Sequence, residues 1–405
     1  MAGKKKSKFE FSKIGKIVSG ISDKTGIQVE DSKNMEKKEF IGTGIYVLNA
    51  LFSKSIFNGG IQSNRITAIA GPSGVGKSFL CYNICREAQK DGYSVIYIDT
   101  EFSIEMSDMA NYGIDTDPDK LQLVRTNAVE DLKIMLTQLL SELKEKKLKG
   151  ADLDKFMIVL DSAGQLASRK EVEDAKAGKE KADMTRAKAM KSLFRIINAD
   201  LGFLKVPLLV TNHTYMSMDL FPKPIMSGGT GLMYSASTIL MLSKAKLKTG
   251  DEDKDLSLGQ SGVLVTAKSQ KNRLAKPSKI KFAIDFTKGC NPYDYLEHFC
   301  TPENFDKVGI AKGKMEVDKE TGEMIFKPGG TRWYIRHLEK SVFGKNLNNE
   351  KVFTQEVLEA LEPIISDYFS YKSVQEMEEM ENEDELGEEY SDVDIDDVDG
   401  TDLFD

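Results

Sequence analysis

The eight residues Gly71-Pro72-Ser73-Gly74-Val75-Gly76-Lys77-Ser78 constrain this chain more than any other feature in it. They complete the pattern glycine, four residues, glycine, lysine, serine or threonine. An apolar run over 66–70 precedes them, and a helix-forming stretch over Lys77–Lys90 follows. Glycines let such a loop curl until its N–H groups converge on one point beside the positive end of the following helix. That point suits phosphate oxygens. Lys77 would reach the terminal phosphates of a nucleoside triphosphate, and the Ser78 hydroxyl would ligate Mg2+. A plain glycine-rich turn would need neither the strand before it nor the helix after it.

A phosphate loop needs carboxylates at the same edge of a sheet. The run Phe156-Met-Ile-Val-Leu-Asp161 ends an apolar strand in an acid, so Asp161 is expected beside the loop as a partner of Mg2+. The run Val95-Ile-Tyr-Ile-Asp99-Thr-Glu101 offers two acids just past another strand end. Glu101 is preferred for orienting the attacking water, because two further residues let it turn over the phosphates. A solvated loop acid is the bland alternative. A third apolar run ends in Thr211-Asn212-His213. His213 can feel the γ-phosphate from there and pass its presence to the next loop, although a lone histidine is more often structural.

Strand signals recur at 66–70, 94–98, 156–160, 207–210, 238–242, 263–267 and 280–285, with helices at Lys77–Lys90, 129–147 and 185–203. This alternation predicts an α/β fold, a mostly parallel central sheet flanked by helices, over residues 41–290. Residues 1–40 are lysine-rich with a weak apolar spacing at Phe9, Phe11, Ile14, Ile17 and Ile21, and read as an N-terminal arm. Residues 291–372 hold the single tryptophan and are less periodic, a small C-terminal region. Residues 373–405 read as a disordered acidic tail. Sixteen of the 64 acidic residues lie in 376–405 with no lysine or arginine among them, which leaves 56 basic against 48 acidic residues elsewhere. A net charge of −8 therefore hides a basic body suited to a polyanion. No apolar run approaches the roughly 18 residues needed to cross a bilayer, and no secretory signal opens the chain. The four cysteines lack zinc or redox spacing, Cys81 and Cys85 reading as packed helix thiols, so a reducing cytoplasm is expected.

Five stretches together resemble the RecA family, and most closely the UvsX recombinases of tailed phages. They are Tyr97-Ile-Asp-Thr-Glu-Phe, Asp161-Ser-Ala-Gly-Gln-Leu-Ala-Ser-Arg-Lys, Asp183-Met-Thr-Arg-Ala-Lys-Ala-Met-Lys-Ser-Leu-Phe-Arg-Ile, Asn212-His-Thr-Tyr, and Gly228-Gly-Thr-Gly-Leu-Met-Tyr-Ser-Ala. The resemblance covers roughly 41–290. It implies a RecA-like ATPase that binds ATP and Mg2+, polymerises with itself into helical filaments on single-stranded DNA, and exchanges strands with homologous duplex DNA in recombination, repair and replication. It implies that Glu101 is the catalytic glutamate and that His213 stands where bacterial relatives carry a γ-phosphate-sensing glutamine. It implies that ATP lies between subunits, where Lys271 and Arg273 of Lys271-Asn-Arg-Leu-Ala-Lys-Pro277 would act across the interface. A basic surface hairpin is the alternative for that segment.

Two loops are expected to face DNA. The first, 167–187, carries Arg169, Lys181 and Arg186, with Lys188 just beyond it. Such cations give salt-sensitive, sequence-independent affinity. The second, 214–231, carries Met216, Met218, Phe221, Lys223 and Met226 before Gly228 and Gly229. Apolar side chains there could wedge between bases, and its prolines and glycines argue for mobility. The arm is expected to dock on a neighbouring core, and the tail resembles the acidic tails that compete with DNA in bacterial relatives. A mediator and a single-strand-binding protein are expected partners. A hexameric helicase or translocase on the same core, or an ATP-gated DNA mediator without turnover, are the competing readings.

Overall fold

A computed structural model of the chain describes residues 39–178, 185–218, 220–248 and 260–372; the side chains of 246–248 and 260–261 are outside it. The expected arm over 1–38, Lys181 and the acidic tail also lie outside the described residues. In chain order the first elements are β1 (Phe40–Ile41), α1 (Tyr46–Ser53), β2 (Ile61–Gln62), β3 (Ile66–Gly71), α2 (Lys77–Lys90) and β4 (Ser94–Asp99). Next come α3 (Met106–Asn111), β5 (Leu121–Arg125), α4 (Val129–Leu148), β6 (Phe156–Asp161), α5 (Arg169–Lys176) and α6 (Thr185–Leu204). Then follow β7 (Leu208–Met216), β8 (Pro224–Met226), α7 (Gly231–Ser235), β9 (Thr238–Lys248), β10 (Gln260–Asn272), β11 (Lys279–Asp285) and β12 (Gly289–Cys290). The last are α8 (Phe305–Val308), β13 (Ile310–Val317), β14 (Met324–Ile335), β15 (Lys340–Phe343) and α9 (Gln355–Phe369).

The central sheet runs β12-β11-β10-β9-β3-β7-β6-β4-β5, with β8 attached to β7. Six neighbours, from β9 through β3 to β5, are parallel, and β10 to β12 extend them antiparallel. The chain leaves β3 to one side for β4 and later returns across it from β7 to β9, so the phosphate loop sits where strand order reverses. Open parallel sheets bind ligands at such a point, at the carboxyl ends of their strands.

Strand alternation divides the core in two. Val95, Tyr97, Met157, Val159 and Leu209 face α2, packed with Leu80, Ile84 and Cys85. Ile158, Leu160, Leu208 and Val210 face Leu132, Leu136 and Leu140 of α4 and Leu193, Phe194 and Ile197 of α6. Both faces are covered, which is why these strands read as unbroken apolar runs. Residues 291–369 join the α2-side cluster: Phe299, Ile310, Trp333, Leu361 and Phe369 pack in one body with Leu48, Leu51 and Phe282.

Several strands outrun their sequence signals. β7 continues six residues beyond Val210, through Thr211-Asn-His-Thr-Tyr-Met, and β9 and β10 run well past Leu242 and Ala267. The buried positions of those extensions are polar, Thr211 and Asn212 on β7 and Ser269 and Asn272 on β10, so no apolar pattern marks them. The edge strand β5 escapes the sequence reading because Leu121 is its one buried residue.

Candidate nucleotide and DNA site

Period-two alternation delivers the polar residues. Beyond the α2-facing Tyr97, Val159 and Leu209, the next residues on that face are Asp99, Asp161 and Thr211, and after Thr211 comes His213. They arrive together at the mouth of the phosphate loop.

The loop is held from three sides. Gly76 adopts φ 94°, a backbone state that calls for glycine, and a Cβ there would also have to displace the Ile284 methyl. Val75 is fully buried beneath the loop, whereas Pro72, Ser73 and Gly74 are exposed. Lys77 Nζ donates to the carbonyls of Gly71 and Pro72, each at 3.0 Å. Burial pushes the Lys77 ammonium below its ordinary pKa, and the charges of Asp161 and Glu101 pull it back up. Ser78, partly exposed, opens the first turn of α2.

Asp161 is almost wholly buried and accepts from the Tyr97 hydroxyl at 2.8 Å and from the Thr211 hydroxyl. Asp99 is also buried, and its carboxylate accepts the N–H groups of Glu101 (3.0 Å) and Ile104 (3.1 Å). Asp99 therefore shapes the loop that carries Glu101. The next residue, Phe102, takes φ 55°, a backbone state that bulky side chains rarely adopt. Glu101 Oε1 accepts from Ser162 Oγ at 3.0 Å and lies 2.9 Å from His213 Nε2.

His213 is the root of a hairpin. From Thr214, β7 pairs with β8, Thr214 opposite Met226 and Met216 opposite Pro224. Asn212 fixes the base, accepting from Ser227 Oγ (2.8 Å) and donating to Ser227 O (2.9 Å). The loop expected to be mobile is thus a strand pair at its root, and Pro224 opens β8, where no ladder donor is needed. Its tip exposes Tyr215, Met216, Met218, Leu220 and Phe221, while Met226 is buried. Lys223 is exposed, and Gly228 and Gly229 lead into α7, Gly229 lying against Ala187 of α6.

The other expected contacts divide. Lys188 is exposed on α6. Arg169 is exposed but pairs with Asp131, whose hydrogen bond holds the guanidinium above its ordinary pKa. Arg186 turns inward and donates to Gly164 O, its Nε buried without a partner among the described residues. Lys271 Nζ caps the end of α7 through Met233 O (2.9 Å) and Tyr234 O (3.2 Å). Burial, then neighbouring Arg273, lowers its pKa. Arg273 is exposed, and Asn272 between them staples the turn to Leu51 O and Phe52 O. None of Lys188, Arg169, Arg186, Lys271 and Arg273 bonds to Glu101 or His213 among this subunit's described contacts.

Three features escaped the sequence reading. Lys244 of β9 donates to Ser73 O at 2.7 Å, which brings a second cation to the phosphate loop. Gly164, after β6, lies so close to His213, Asn212 and Ser227 that a Cβ would meet each within 3.1 Å. On β10 and β11, exposed Lys268 stands directly opposite exposed Lys279, with exposed Lys281 on the same face. Like charges so placed weaken a sheet, and a bound polyanion would offset them.

With this geometry in view, comparison with known proteins is decisive. The family model described as the RecA N-terminal domain matches residues 14–291. The chain belongs to the RecA family. Among its RecA-type relatives is the recombination and repair protein of Enterobacteria phage T4, 32% identical over 318 residues that cover 76% of each chain. The RecA protein of a Picosynechococcus species is 27% identical over 321 residues, 77% of this chain and 82% of the relative. That of Nautilia profundicola is 26% identical over 287 residues, covering 68% and 74%. RecA-family proteins are DNA-dependent ATPases, and the parallel sheet with helices on both faces is the RecA fold. Among the described residues no helix is long and apolar enough to cross a membrane.

Proposed function

We propose that this chain is an ATP-dependent recombination and repair protein that polymerises on single-stranded DNA and exchanges strands with a homologous duplex. The single observation that carries the reading is the hydrogen bond between Glu101 and His213. It ties the group suited to orient water to the first residue of an apolar-tipped hairpin.

In this reading the 71–78 loop cradles the triphosphate and Lys77 balances its terminal charge. The donor set of Ser78 hydroxyl and Asp161 carboxylate is all oxygen, the chemistry of Mg2+; when bound, the ion neutralises charge on the phosphates. Glu101 orients the attacking water, and Ser162 and His213 aim it. His213 responds to the γ-phosphate and transmits its presence along β7 to the hairpin tip. Met218, Leu220 and Phe221 stack on or between bases, while Lys188, Lys223 and the N–H groups at Gly228 and Gly229 take phosphates. Lys268, Lys279 and Lys281 suit the duplex partner.

Lys271 and Arg273 act on the ATP of a neighbouring subunit. Lys271, tied to α7 just beyond the hairpin, would link that contact to the DNA loop of its own subunit. A single-strand-binding protein and a loading mediator follow as partners, because a polymer that coats single strands must displace what already covers them. The cysteines are free thiols, which suits a reducing cytoplasm.

Electron microscopy with single-stranded DNA and a slowly hydrolysed ATP analogue tests the reading. Extended helical filaments are expected. Closed rings would establish the helicase alternative, and absence of DNA-stimulated turnover would leave only an ATP-gated mediator.

A further inference from the structure

Glu101 sits on a loop, 100–105, that leaves the carboxyl edge of β4 and lies outside every strand and helix. A group placed on such a segment keeps its geometry only if its backbone is fixed from elsewhere. Asp99 supplies part of that support. It is 0% exposed, with Oδ1 accepting the Glu101 N–H and Oδ2 the Ile104 N–H. Both oxygens of a buried anion are thereby committed to the loop, and neutral donors leave its charge in need of a counterion.

The cation that faces it comes from the sheet edge. Arg125 ends β5 and stands opposite Asp99 in the parallel β4–β5 register. Its Nε lies 3.9 Å from Asp99 Oδ2, while Nη2 donates to the Ile104 carbonyl at 2.5 Å and lies 3.6 Å from Glu105 Oε1. Ile104 is thus gripped at its N–H by Asp99 and at its C=O by Arg125, with its side chain in the α2-side core. Between this anchor and Glu101, Phe102 holds φ 55° with 55% of its surface exposed. Such a backbone state persists only while the surroundings enforce it. A side chain so exposed has little packing to enforce it, so the anchors on either side do. The task also calls for arginine: one planar group meets a carboxylate through Nε and a carbonyl through Nη2, which a single ammonium does not match.

We propose that Arg125 is a positioning residue for catalysis: through Asp99 and the Ile104 carbonyl it fixes the 100–105 loop, and so sets where Glu101 holds the attacking water. The inference rests on the reading of Glu101 as the group that orients water. Arg125 acts on the loop and not on the triphosphate, so its loss is felt in kcat and not in ATP affinity.

The test uses the full-length protein. DNA-stimulated ATP hydrolysis and direct ATP binding are measured for the wild type, Arg125→Gln, Arg125→Lys, Glu105→Gln, Glu101→Gln and the double variant Arg125→Gln with Glu101→Gln. A displacement of about 1 Å at a reacting group costs up to roughly a hundredfold in rate, so Arg125→Gln should lower kcat by about ten- to a hundredfold with ATP affinity retained. Arg125→Lys keeps the charge without the fork and should fall between that variant and the wild type. Glu105→Gln, at the exposed partner, should match the wild type. In the Glu101→Gln background, Arg125→Gln should cost no more than about twofold further, because no carboxylate remains to be misplaced. Wild-type kcat in Arg125→Gln overturns the proposal. So does a full further loss in the Glu101→Gln background, or a matching loss of ATP affinity, either of which would mean general damage. If Arg125→Gln does not fold, the same cycle is run with Arg125→Lys, and the same outcomes decide. Glu101→Gln alone tests the underlying reading: if it keeps wild-type kcat, Glu101 itself is misassigned, whatever Arg125 does.

Discussion

His213 Nε2 lies 2.9 Å from Glu101 Oε1, across 112 positions of sequence, and joins the carboxyl end of β4 to the root of the β7–β8 hairpin. The space for this contact is made by Gly164, where a Cβ would stand 2.9 Å from His213 Cδ2 and from Ser227 Oγ. Gly164→Ala therefore displaces the histidine while leaving Glu101 and His213 chemically intact. DNA-stimulated kcat should fall about tenfold, with nucleotide affinity retained. Glu101→Gln should do more, lowering kcat by roughly 10²–10⁴, the usual worth of a positioned base. Steady-state hydrolysis with and without single-stranded DNA, beside direct ATP binding, checks both.

Lys244 supplies a different expectation. It continues the α2-facing row of Leu240 and Leu242 along β9 and so ends over the phosphate loop, donating to Ser73 O. It is also close enough to help lower the Lys77 pKa. Lys244→Gln removes one charge-assisted bond from an exposed site and should raise KM for ATP by about three- to tenfold, discounted for solvent screening. Lys244→Arg should stay near the wild type. A KM titration for each variant decides.

The contrast between Lys77 and Lys244 marks how far the sequence could be read. Lys77, Ser78, Asp161 and Glu101 were legible because each stands at a fixed offset from a strand or helix end, and local spacing carries that information. Lys244 was not, because its nearness to Ser73 follows from β9 lying beside β3, a fact of sheet order between residues 171 positions apart. Gly164 was illegible for a related reason: its need for a bare Cα comes from β7, a different strand. Asp99 shows the converse. Sequence preferred Glu101 but gave Asp99 no role of its own, and its burial and its two backbone partners supply one. The length of β7 was hidden as well, since Thr211 and Asn212 are buried yet polar and give no apolar pattern.

The hairpin tip and the lysines near it should fail in different ways. Phe221→Ser with Leu220→Ser removes exposed apolar surface, and single-strand affinity should drop about tenfold or more with the salt slope unchanged. Lys223→Ala and Lys188→Ala should each flatten the slope of log affinity against log salt by about 0.7. Fluorescence anisotropy of a labelled oligonucleotide over a salt series reports both quantities. Equal effects of the two kinds of substitution on the slope would remove the distinction.

Glu297 makes a prediction about stability. Its Oε2 is buried without a hydrogen-bond partner among the described residues, and burial raises its pKa, with the nearby Asp294 charge adding to the rise. Asp294 is itself raised by burial. A carboxyl whose folded pKa exceeds its unfolded value binds protons preferentially in the native state. Its stabilising contribution is therefore full below the unfolded pKa and is lost as pH rises through the folded one. Glu297→Gln cannot ionise, so it should raise Tm above the wild type at about pH 8 and leave a much smaller difference near about pH 4.5. Thermal melts across that range check the sign. A gap that widens on acidification would mean that Glu297 is stabilised as the anion, and that its neighbours supply more positive potential than their arrangement indicates.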